Sequence, residues 1–64
     1  MTNETKKIVK QVTSIANEKL GKDWSLVIRR DGGELQVEAR KVEGVVVRSV
    51  VWCGGRIESR TSVA

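Results

Sequence analysis

Glycine limits what this chain can fold into more than any other residue. Its six glycines stand at 21, 32–33, 44 and 54–55. Glycine enters left-handed backbone without a side-chain clash, so it marks where helices stop and hairpins turn. Before Gly21, the apolar residues Ile8, Val12, Ile15 and Ala16 recur at helical spacing, which predicts a helix over residues 3–20. Thr2 or Asn3 supplies a capping oxygen, Glu4 puts an anion in the first turn, and Lys19 puts a cation in the last. After Gly21 the apolar period changes to two. Strands are predicted over residues 24–30, 34–42, 45–52 and 56–62, separated by Asp31-Gly32-Gly33, Val42-Glu43-Gly44 and Cys53-Gly54-Gly55. The expected fold is α+β: an N-terminal helix packed on a four-stranded antiparallel meander, α-β-β-β-β, in one domain of residues 1–64.

The faces of that sheet follow from the turns, because a one-residue slip sends every side chain to the other side. A two-residue Asp31-Gly32 loop sets Ile28 opposite Leu35 and Leu26 opposite Val37, in agreement with the alternation on both strands. The third strand is apolar on both faces, so alternation cannot orient it. A three-residue loop ending at Gly44 points Val45, Val47 and Val51 at the helix and leaves Arg48 outside. A two-residue Glu43-Gly44 loop buries Arg48 instead, and an unpaired buried guanidinium costs several kcal/mol or more. The three-residue loop is therefore expected, with Gly55 closing the last turn the same way and keeping Ile57 inside. The core then comprises Ile8, Val12, Ile15, Leu20 and Trp24, with Leu26, Ile28, Leu35, Val37, Ala39, Val45, Val47, Val51 and Ile57 from the sheet.

Outside lie Val27 and Arg29, then Gln36, Glu38 and Arg40, then Val46, Arg48, Val50 and Trp52, and last Arg56, Glu58 and Arg60. An apolar Val/Trp stripe rimmed by charge is the composition of an interaction surface. The plain alternative is that arginine stems cover the valines. The residues expected to carry binding are Arg29, Arg40, Arg48, Val50, Trp52 and Arg60.

Composition narrows the function classes. A chain of 64 residues sits near the size at which a single core stops being sufficient. One cysteine, Cys53, allows no internal disulfide, and the absence of histidine removes the usual zinc ligand sets and the usual base for a nucleophile. No metal, cofactor or small-molecule substrate is expected, and no catalysis. The two Gly-Gly pairs read as hairpin turns, since neither opens a helix as a phosphate loop does. No targeting or membrane segment is visible, and a lone cysteine suits a reducing cytoplasm.

The leading expectation is protein–protein binding, as a homodimer or by docking on a larger partner. The alternative is nucleic-acid binding through the arginine-rich face together with Lys6, Lys7 and Lys10, which the net charge of +4 permits. Residues Lys22 to Glu38, a strand, an Asp-Gly turn and a strand, resemble the opening of the Sm-like barrel of RNA-binding rings. The fifth strand of that barrel has no counterpart here, and none of its contact residues is carried over.

Overall fold

The computed structural model describes residues 2–63. Helix α1 spans Asn3–Lys19, and strands β1 Ser25–Asp31, β2 Glu34–Glu43, β3 Val46–Cys53 and β4 Arg56–Val63 follow it. The strands form one antiparallel sheet in the order β1-β2-β3-β4, so the expected α+β meander is the fold. β1 and β4 stay at opposite edges and the sheet does not close into a barrel.

Local signals account for the helix. The Thr2 side chain accepts from the Thr5 N–H at 3.2 Å, and the two threonine hydroxyls lie 2.9 Å apart. At the other end the Leu20 N–H donates to the Ala16 carbonyl at 2.7 Å, and Gly21 follows with φ +76°. That left-handed residue just past the helix is the position glycine fills at least cost. Thr5, Ile8, Val12 and Ala16 make the buried stripe. Ala16, rather than Ile15, points straight at the sheet, and its small side chain permits close approach. Ile15 turns aside and is half-buried.

The buried apolar core is Ile8, Val12, Ala16 and Leu20 from the helical segment against Val37, Ala39 and Val50 from the two central strands. The helix covers β2 and β3, and the sheet is wider than the helix. Leu26, Ile28 and Ile57 therefore face the helix side as expected, but at the uncovered edges they remain about two-fifths exposed, at 37%, 40% and 36%.

The turns differ from the expectation. All three hairpins have two-residue loops: Gly32-Gly33, Gly44-Val45 and Gly54-Gly55, flanked by the pairs Asp31–Glu34, Glu43–Val46 and Cys53–Arg56. Both glycines of the first and third loops have positive φ, the demand of a type I′ turn. In the middle loop only Gly44, at +61°, is left-handed, which fits a type II′ turn with valine second.

The first difference is harmless. Ile28 opposes Val37 instead of Leu35, a slide of two residues that preserves both faces. The second difference reverses β3. Trp52 opposes Val37, Val50 opposes Ala39 and Arg48 opposes Lys41, so Val46, Arg48, Val50 and Trp52 lie on the helix side. Val47, Ser49 and Val51 lie outside, and Val45 is a turn residue 66% exposed.

The physical reason lies in where Arg48 lands. The rejected loop would have set it opposite Ala39, in mid-core. The observed pairing shifts it by two residues, to the end of the helix. There its guanidinium donates to the Lys19 carbonyl at 3.0 Å, and the ammonium of Lys41 donates to the Leu20 carbonyl at 2.8 Å. Glu43 lies 3.7 Å from both cations. The burial penalty does not arise, because Arg48 keeps 42% side-chain exposure and finds carbonyls at the negative end of the helix dipole.

Candidate functional site

Alternation along the four strands builds the outer face, and cross-strand pairing sorts its residues into rows. The first row is Arg29, Gln36, Cys53 and Arg56. The second is Val27, Glu38, Val51 and Glu58, and the third is Ser25, Arg40, Ser49 and Arg60. Asp31 and Glu34 form a carboxylate row ahead of the first, and a fourth row of Val42, Val47 and Ser62 completes the face. Charge is thus banded, with a carboxylate row between two guanidinium rows and small or apolar residues on β3 through the middle.

Of the residues expected to bind, Arg29, Arg40 and Arg60 are on this face, and all three line one open depression with Glu38, Val47 and Ser49. Arg48, Val50 and Trp52 are not. Val50 is fully buried under the helix, Trp52 packs against the core half-buried, and Arg48 caps the helix. These three therefore do not join the outer arginines in a surface, and the Val46/Val50/Trp52 stripe is internal. Sequence reasoning missed Ser49 and Val51 as the centre of the face. The visible signal was the Glu-x-Arg spacing shared by Glu38-Ala39-Arg40 and Glu58-Ser59-Arg60, which pairing aligns on either side of them.

The ion pairs are uneven. Arg60 and Glu58 meet at 3.1 Å along β4. Arg29, Glu38, Arg40 and Arg56 form no ion pair among the described residues. Ser49 is 8% exposed and floors the depression between Arg40 and Arg60, while Val51 is half-buried one row away. Cys53 is a free thiol that accepts a 3.7 Å contact from the Gln36 amide.

The charges of this face cancel. Arg29, Arg40, Arg56 and Arg60 are offset by Asp31, Glu34, Glu38 and Glu58, so the face is neutral overall. The whole net charge of +4 belongs to the rest of the molecule: the helix, the loops and the helix side of the sheet.

Among the described residues no group of histidine, cysteine or carboxylate side chains is placed to hold a metal ion. No helix is long and apolar enough to cross a membrane. No protein-family model matches the chain, and neither a curated protein nor a solved structure is significantly similar to it.

Proposed function

We propose that this protein is a small non-enzymatic binding domain of the cytoplasm whose outer sheet face receives a protein surface. One observation carries the reading: eight charges of both signs alternate in rows on a neutral face. Phosphate backbones call for net positive surfaces and release counterions from them. Protein surfaces call for complementary patterns of both signs. The nucleic-acid alternative draws support only from the helix side, where the excess of lysine and arginine lies, and that side offers no aromatic ring free for stacking. Trp24 donates its indole N–H to Asn17 at 3.1 Å and packs on the core, and Trp52 is half-buried there too.

The test compares the tagged wild-type chain with an Arg29→Ser/Arg40→Ser/Arg60→Ser variant, cross-linked in extract of the source cells with and without nuclease. Complexes, of the chain with itself or with another protein, are expected to survive nuclease and to disappear in the triple variant. Complexes that vanish with nuclease and persist in the triple variant would transfer the function to nucleic acid and to the helix side.

A further inference from the structure

We propose that the surface received by the outer face is a second copy of the same face, related by a two-fold axis that runs across the strands between the second and third rows. The inference rests on the protein-binding reading above and names its partner. Rotation about that axis lays β2 over β2 and β4 over β4, with the second row of each copy on the third row of the other. Glu38 then meets Arg40 of the second copy, Glu58 meets Arg60, and both contacts recur by symmetry. Val51 of each copy comes down on Ser49 of the other, an apolar projection over the floor of the depression. The first row falls on Val42, Val47 and Ser62, so no two like charges are opposed.

Three other placements fail on the same residues. An axis through the second row sets Glu38 on Glu38 and Glu58 on Glu58. One through the third row sets Arg40 on Arg40 and Arg60 on Arg60. An axis along the strands brings Arg29 onto Arg56. An axis between the first and second rows opposes no like charges, setting Glu58 on Arg56 and Arg40 on Glu34, but it lies near the ends of β3 and β4 and carries Arg60 and the fourth row past the facing strands. The axis between the second and third rows pairs opposite charges and overlaps β3 and β4 over their full length, and the isologous contact it makes is the commonest kind in homo-oligomers.

Packed sheets cross at about 30°. Because β2 and β4 each lie only about 5 Å from β3, that rotation displaces the charged positions by roughly 2–3 Å, within reach of long side chains. Four strands of this length cover roughly 500 Å² per copy, about 1,000 Å² in all, at the low end for specific interfaces. The dimer is accordingly a weak one, dissociating on the order of micromolar concentrations or above.

Charge exchange tests the arrangement. A Glu38→Arg/Glu58→Arg chain and an Arg40→Glu/Arg60→Glu chain each oppose like charges in their own dimers. Mixed together, they restore every pair. Sedimentation equilibrium, with circular dichroism to verify folding, is expected to show a wild-type dimer, at least tenfold weaker self-association of each variant, and recovery in the equimolar mixture. A Lys6→Glu/Lys7→Glu chain has the same net charge as the Arg40→Glu/Arg60→Glu chain but carries its changes on the exposed side of the helix, away from the outer face, so its dimer should stay within about threefold of wild type.

A monomeric wild type, a mixture that does not recover, or equal weakening by the two acidic variants would overturn the proposal. If it falls while the triple arginine-to-serine variant still loses its cross-linked complexes, the face docks a different protein and the broader reading stands. If the triple variant loses nothing, the broader reading fails with it.

Discussion

Arg48 shows how one side chain can mislead when its environment is inferred from sequence distance alone. A guanidinium in mid-core is costly, and that cost is a sound reason to turn a strand over. At the end of a helix, however, the last carbonyls lack partners, and a cation there is favourable. Lys41 and Arg48 fill that role from adjacent strands, with the Glu43 carboxylate 3.7 Å from both cations. Replacing Arg48 with methionine keeps most of the stem and removes the donor. Urea denaturation of Arg48→Met is expected to show a loss of about 1 kcal/mol, the scale of a cation at a partly exposed helix terminus. An unchanged midpoint would mean that water serves the Lys19 carbonyl equally well.

At the scale of the element, the hairpin turns separate what sequence can specify from what it cannot. The helix was legible because its signals are local: Thr2 at the start, Gly21 at the end, and a stripe at helical spacing between them. The faces of β1, β2 and β4 were legible because charged and apolar residues alternate there. β3 carries valines on both sides, so its orientation depends on one loop, and the cost of burying Arg48 points to the wrong loop. Ile57 lies on the helix side as expected, because shortening the last loop from three residues to two cancels the reversal of β3. The observed turn has a direct consequence. Val45, exposed and without a positive φ, should accept asparagine within about 0.5 kcal/mol, as exposed sites do. Gly44→Ala should cost roughly 1–2 kcal/mol, the penalty of a left-handed residue with a Cβ. Had Val45 been a core residue, the first change would be the damaging one, and thermal denaturation of the two variants distinguishes the cases.

The whole molecule is a sheet too wide for its helix. One helix shields two central strands, leaving a fully apolar core of seven residues and partly exposed Leu26, Ile28 and Ile57 at the edges. A domain of this size has little stability to spare, with no disulfide among its described residues to constrain the unfolded chain. Covering the outer face with a second copy supplies what the core lacks, and it does so by mass action: whatever binds only the folded state stabilises it. The melting temperature should therefore rise with protein concentration. For a domain of this length, a hundredfold increase above the dissociation constant should raise it by about 5–10 °C. Arg40→Glu/Arg60→Glu, whose dimer is opposed, should melt at a temperature independent of concentration over the same range. A scanning-calorimetry series on both chains reads the two slopes. A flat wild-type series would show that the outer face contributes nothing to folding through self-association, whereas equal slopes would place the dimer contact on another surface.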